Sequence, residues 1–124
     1  MLGLNLWSAG KFTLNCYGSQ NGAVVNKYFY VCDEEINDLL VAKVDPNSDS
    51  YAAIIACQDS AIRVIADTGK MIFEQNFGSP IITLNLSESV SQRNCPLIAY
   101  GLHNGNFGLF ELNHEEAIVL WEID

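Results

Sequence analysis

The chain has 124 residues, 49% of them hydrophobic and 17% charged, enough for one domain with a real core and outside the disordered class. Fifteen acidic against six basic side chains leave a formal net charge of -9. A surface of that sign repels a phosphate backbone and an anionic membrane, so no nucleic acid is expected as a partner; the charge suits solubility or a basic partner patch.

The N-terminal run "MLGLNLWSAGKF" lacks a basic segment followed by a long apolar one, so no signal peptide is read there. No stretch reaches the roughly 18 apolar residues of a membrane helix. Direct membrane insertion is therefore not expected, and a cytoplasmic chain fits. Within residues 1–35, "KFTLNCY" and "YFYVCD" read as strands and "GSQNGAVVN" as a loop or hairpin. The segment "EEINDLLVAKV" comes nearest to a helix, with Glu34, Glu35, Asp38 and Lys43 to decorate it. Ile36, Leu40 and Ala42 also line one strand face, however, and the repeat that follows favours a strand.

From residue 36 the chain cycles. "INDLLVAKVD" (36–45), "YAAIIACQD" (51–59), "AIRVIAD" (61–67) and "KMIFEQ" (70–75) are followed by "PIITLNLSE" (80–88), "PLIAYGLHN" (96–104), "FGLFELN" (107–113) and "AIVLWEID" (117–124). Ile55-Ala56-Cys57 aligns with Ile98-Ala99-Tyr100, Ile62-Arg63-Val64-Ile65 with Phe107-Gly108-Leu109-Phe110, and Phe73-Glu74 with Trp121-Glu122. Four short strands at a period of roughly 40–50 residues mark a β-propeller blade. The first two strands of each unit are the more apolar, as expected nearest a central axis. Arg63, Glu74, Glu111 and Glu122 alternate along the outer strands and read as solvent-facing. The links "QDS", "DTGK" and "HNGN" read as hairpin turns, with Gly69 and Gly105 available for positive φ. The predicted fold is all-β: a partial β-propeller of about two and a half WD40-like four-stranded antiparallel blades in one fragment, with a partial blade at 1–35 and blades at 36–79 and 80–124. A closed ring needs at least about four blades. Open apolar faces and strand edges follow, and with them self-association or a partner.

The segments "YFYVCDEEINDLLVAKV", "IIACQDSAIRVI", "KMIFEQNFGSPIITLNL", "LIAYGLHNGNFGLFEL" and "AIVLWEI", in this order, resemble the N-terminal β-propeller of the seventh Bardet–Biedl syndrome protein, a subunit of the BBSome. Ile36-Asn37-Asp38, Ala56-Cys57-Gln58-Asp59 with Arg63-Val64, and Trp121-Glu122-Ile123 are the most specific pieces, and the resemblance runs from about residue 8 to 123. It implies a non-catalytic scaffold or adaptor in ciliary membrane-protein trafficking, located in the cytoplasm and at the cilium or basal body, with other BBSome-like subunits as partners. That family's propeller is longer and is followed by coiled-coil and further domains, so this chain corresponds to its middle blades. The alternative is an unrelated WD40-like interaction propeller fragment with no ciliary role.

No catalytic or cofactor-binding residue is assigned, and no P-loop, GxSxG or GxGxxG occurs. Cys16, Cys32, Cys57 and Cys95 lie far apart with no CxxC pair and read as reduced core thiols. Asp45, Asn47 and Asp49 stand at positions one, three and five of a calcium-like loop. Ser50 replaces its glycine, and Ala53 and Ala56 replace the closing carboxylates, so an Asx/Pro turn is the stronger reading and no metal is expected. His103 and His114 fall in turns. Trp7, Tyr28, Tyr30 and Trp121 are the candidate partner anchors, with core or cross-strand packing as the competing role.

Overall fold

The computed structural model describes residues 5–124. Its described residues contain eleven antiparallel strands in three sheets and no helix, hence none long and apolar enough to cross a membrane. Sheet A is β1 (Leu6–Ala9), β2 (Thr13–Gln20) and β3 (Ala23–Val31). Sheet B is β4 (Ile36–Ala42), β5 (Ala52–Cys57), β6 (Ala61–Ala66) and β7 (Met71–Asn76). Sheet C is β8 (Ile81–Val90), β9 (Pro96–Leu102), β10 (Phe107–Leu112) and β11 (Ala117–Ile123). Each is a simple meander whose neighbours in sequence are neighbours in the sheet. This is propeller architecture without ring closure, as the alternating apolar pattern predicts.

The segment "EEINDLLVAKV" is strand β4. "GSQNGAVVN" is a hairpin turning at Asn21-Gly22, where φ is 53° and 80°. Two consecutive positive φ values give the turn a twist that matches the flanking strands, and Asn-Gly tolerates them best. Gly69 and Gly105 also adopt positive φ, at 88° and 96°.

Sheet B is packed on both faces. Ala52, Ile54, Ala56, Ile62 and Val64 form one core with Ile81, Leu84, Ile98, Tyr100, Leu102, Phe110 and Leu112 of sheet C. Ala53, Ile55, Cys57 and Ile65 form a second core with Leu14 and Cys32 of sheet A. Strand β5 is therefore buried along its whole length, which explains a continuous apolar run in place of alternation. The sequence expectation that the first two strands are the most enclosed is corrected here. The second and third strands of sheet B are the buried ones, while β4 is only half-buried. An inner strand gains cover from across the axis only when the ring closes.

Sheets B and C share their irregularities. The inner strand bulges between Ile36 and Asp38 in one and between Ile81 and Thr83 in the other. The third strand shifts register after Val64 and after Leu109. Gln58 N–H bonds to Glu35 C=O at 2.9 Å, and His103 N–H to Pro80 C=O at 2.8 Å. These matches make Ile36 equivalent to Ile81, Asp38 to Thr83, Val64 to Leu109 and Phe73 to Trp121. Ile55 then corresponds to Tyr100, two residues further on than the sequence alignment places it.

Candidate interaction surface

Sheets B and C are joined by polar contacts at both margins of their shared core. On the inner strand, Asn37 Nδ2 donates to the Ile81 carbonyl at 3.0 Å, and Asp38 Oδ2 accepts the Leu84 N–H at 2.7 Å. On the outer strand, Gln75 donates to the Ala117 carbonyl at 2.8 Å and accepts the Ala117 N–H at 3.0 Å. Between them lies the apolar core, with Phe73 packed against it.

Sheet A docks on sheet B through three of the four aromatics singled out in the sequence. Trp7 meets Tyr28 edge-on, with ring centroids 5.6 Å apart. The Tyr28 hydroxyl donates to the Ala66 carbonyl at 2.6 Å, and its ring covers Gly69, where a Cβ would stand 2.9 Å from Cδ2. Burial holds the Tyr28 hydroxyl well above the usual phenol range, as it does more mildly for Tyr30. Tyr30 reaches the Met71 sulfur at 3.9 Å. All three are half-buried. Trp121 is different: it stands 47% exposed on the outer face of sheet C, edge-on to Phe107 at 6.2 Å.

That outer face is apolar. The pairings Leu109↔Ala99 and Leu109↔Trp121, with Phe107↔Gly101 and Phe107↔Ile123, place these side chains together, facing away from sheet B. Leu97 and Ile118 sit opposite Glu111 on the same face. The equivalents of the three clamp residues are Ile82 for Asn37, Thr83 for Asp38 and Ile123 for Gln75.

Of the four outer-strand charges read as solvent-facing, Glu74 and Glu122 are exposed, while Arg63 and Glu111 are not, which corrects the sequence reading for those two. The Arg63 side chain is only 14% exposed; it forks onto Asp59, with one arm at 3.0 Å, and meets Glu74 at 2.9 Å. The Arg63 hydrogen bonds hold the Asp59 carboxyl below its ordinary range. Glu111 is buried and paired with Arg93 at 2.7 Å. Glu122 does face solvent, but it accepts from Tyr100 at 2.6 Å and Asn106 at 3.1 Å, and these bonds lower its pKa.

Asp45 turns its carboxylate onto the Asn47 N–H at 2.9 Å, while Ser48 N–H bonds to the Asp45 carbonyl at 3.1 Å, which is an Asx turn. Asp49 is turned to Lys43 at 3.9 Å. Among the described residues, no three His, Cys, Asp or Glu side chains gather as a metal-binding group. His114 lies in a turn beside Glu115 at 3.6 Å, and His103 is exposed. All four cysteines are buried and free. A cleft of about 350 Å³ opens between the β4–β5 link and the β8–β9 hairpin, lined by Lys43, Tyr51, Leu86, Glu88 and Val90 among others. The groups with displaced pKa values, Cys16, Tyr28, Tyr30, Cys57, Asp59, Arg63, Tyr100 and Glu122, lie outside it.

The family model for the BBS7 beta-propeller matches residues 1–124. The chain belongs to the BBS7 β-propeller family. No curated protein matches it. Among solved structures it resembles BBS1N in two crystal structures of its complex with ARL6DN. For the mercury-soaked crystal the TM-score is 0.75 at 17% identity, covering 98% of this chain and 36% of that one. For the lead-soaked crystal the TM-score is 0.71 at 18% identity, covering 98% and 35%. At such identities the likeness is one of fold. The chain spans about a third of the length of those BBS1N chains.

Proposed function

We propose that this chain is a non-catalytic scaffold or adaptor module of a BBSome-like complex, serving ciliary membrane-protein trafficking from the cytoplasm and the cilium or basal body. It acts as one propeller fragment, with a partial unit at 1–35 and blades at 36–79 and 80–124. Membership of the BBS7 β-propeller family supports the setting. The observation that carries the reading is the outer face of sheet C. It repeats the positions by which sheet B grips sheet C, with Trp121 in the place of Phe73, yet leaves them open. Protein partners fit a broad apolar sheet face of this kind better than a small molecule does. BBS1N, which shares the fold, is crystallised with a protein partner, ARL6DN. Other BBSome-like subunits are the proposed partners here, with Trp121 as the anchor that faces them. Trp7, Tyr28 and Tyr30 support that role from within, by fixing sheet A to sheet B.

The test is a pull-down from ciliated cells using the tagged protein, with and without Trp121→Ala, read by quantitative mass spectrometry. A stoichiometric set of BBSome subunits, depleted by the substitution, supports the reading; no such set from the unsubstituted protein rejects it. The same open face predicts self-association of the isolated chain. Light scattering should find a mass above 13.7 kDa, growing with salt as the net charge is screened. A sharp monomer at every ionic strength would count against an exposed adhesive face.

A further inference from the structure

Two of the four buried cysteines meet. Cys32 follows the end of β3 and stays on the sheet A ladder through its N–H bond to the Phe12 carbonyl at 2.8 Å. Cys57 closes β5 in sheet B. Their sulfurs lie 3.8 Å apart across the A–B core, and the two residues are 25 positions apart in sequence. Covalent bonding needs an approach of about 1.8 Å, within reach of side-chain rotation and small strand shifts. Cys16 and Cys95 make no sulfur–sulfur contact among the described residues; their neighbours are Tyr28 and the Arg93 carbonyl. The pair is also not an inert apolar one. Burial pushes the Cys57 thiol up to about 12, and the charge of the Arg63 guanidinium, fixed by Asp59 and Glu74, works against that rise by favouring the thiolate.

We propose that Cys32 and Cys57 are a thiol–disulfide couple, closed by exchange with a small-molecule disulfide, that covalently staples sheet A to sheet B. The route runs through Cys32. It is 3% exposed against 0% for Cys57, and it adjoins the exposed Asp33 at the start of the link to β4. The Cys32 thiolate attacks one sulfur of the incoming disulfide, forming a mixed disulfide and expelling one thiolate. Cys57 gives up its proton beside Arg63 and attacks the Cys32 sulfur, forming the Cys32–Cys57 bond and expelling the second thiolate. Two protein thiols are oxidised, one external disulfide is reduced to two thiols, and no further oxidant enters.

The sequence makes the test direct. Cleavage after Lys11, Lys27, Lys43, Arg63 and Arg93 puts Cys16, Cys32, Cys57 and Cys95 in four different tryptic peptides, 12–27, 28–43, 44–63 and 94–124. The full chain is equilibrated in mixtures of oxidised and reduced glutathione, quenched with alkylating agent in denaturant, and digested. The expected product is the linked pair 28–43 and 44–63, with Cys16 and Cys95 alkylated, and a melting temperature raised by about 10 °C over the reduced chain. In Cys57→Ser the same mixture should leave glutathione on Cys32. Four results would each overturn the proposal: no oxidation across the range, a glutathione adduct on Cys32 of the unsubstituted chain that never resolves, links that involve Cys16 or Cys95, or a linked chain that melts no higher than the reduced one. An unmodified Cys32 in Cys57→Ser would overturn the route. A chain oxidised in denaturant should instead give mixed pairings, which shows whether the fold selects the partners.

Discussion

Replacing Asp38 with Ala removes the inner clamp between sheets B and C. Its Oδ2 accepts the Leu84 N–H at 2.7 Å and its Oδ1 the Leu39 N–H at 2.9 Å. Leu84 is 5% exposed and sits in the B–C core, so water cannot replace the lost acceptor. A buried N–H left without a partner costs about 1–3 kcal/mol, and the bond lost is charge-assisted, at the upper end of that range. The Leu39 N–H lies on a half-buried strand and can rehydrate, adding about 0.5 kcal/mol. The expected loss is about 2–3 kcal/mol, from a total that is about 5–15 kcal/mol for a domain of this kind. With a urea slope of about 1–3 kcal/mol/M, the unfolding midpoint should fall by about 1–2 M at unchanged slope. Asp38→Asn keeps an oxygen for Leu84 but sets an amide donor against the Leu39 N–H, so it should lie between the two. Tryptophan fluorescence in urea reads all three proteins. If Asp38→Ala leaves the midpoint within about 0.2 M of the parent, the Leu84 bond does not hold the sheets, and the clamp argument fails.

Three further outcomes follow from the same packing. Gly108→Ala places a Cβ against the Trp121 carbonyl and 2.6 Å from the Tyr100 hydroxyl, which bonds to Glu122. It should lower stability by about 1–3 kcal/mol in a thermal melt, and a neutral result would mean that β10 and β11 sit further apart. Phe73→Ala and Trp121→Ala remove equivalent side chains from different surroundings. The first opens the B–C core and should cost about 3–5 kcal/mol, the second under about 1 kcal/mol in the isolated chain while losing partner binding; equal costs would contradict the equivalence. Because Arg63 lowers the Asp59 pKa in the folded state, the unfolded chain binds more protons between that folded value and the ordinary one near 4. Stability is therefore present above about pH 4 and is lost as pH falls through the folded value. Asp59→Asn should flatten the melting temperature between pH 5 and pH 2, and an unchanged slope would show that the Arg63 pairing does not set acid stability.

How far the sequence could be read follows from period and parity. Alternation and the recurrence from residue 36 give the strands and the equivalence of Phe73 with Trp121, because a two-residue period fixes which face a side chain takes. The same period is blind to a shift of two, which is why Ile55 pairs in the alignment with Ile98 and in the structure with Tyr100. Strand β1 is four residues long, too short to stand out in "NLWSAG". Charges on a strand read as solvent-facing by default, and what buries Arg63 and Glu111 is supplied by Asp59 and Arg93, which lie in loops. The clamps do carry a signal in the sequence. Asp38 shares its parity with Leu40 and Ala42, and Gln75 with Phe73, so each is a polar residue on an apolar face. A polar side chain in that position is a hydrogen-bonding partner waiting for its mate.

The distribution of those polar residues separates the two faces of the repeat by what they can accept. Between sheets B and C, buried donors and acceptors at the inner and outer margins must all be met at once, so a displaced pairing would strand Leu84 N–H, Ile81 C=O and both polar groups of Ala117. That contact tolerates one register and one partner. At the equivalent positions of the open face stand Ile82, Thr83 and Ile123, around Leu109 and Trp121. Nothing there penalises a small displacement, and apolar area alone can hold a partner without choosing it. One face of the repeat thus carries the polar lock that fixes its register, and the equivalent positions of the other carry none.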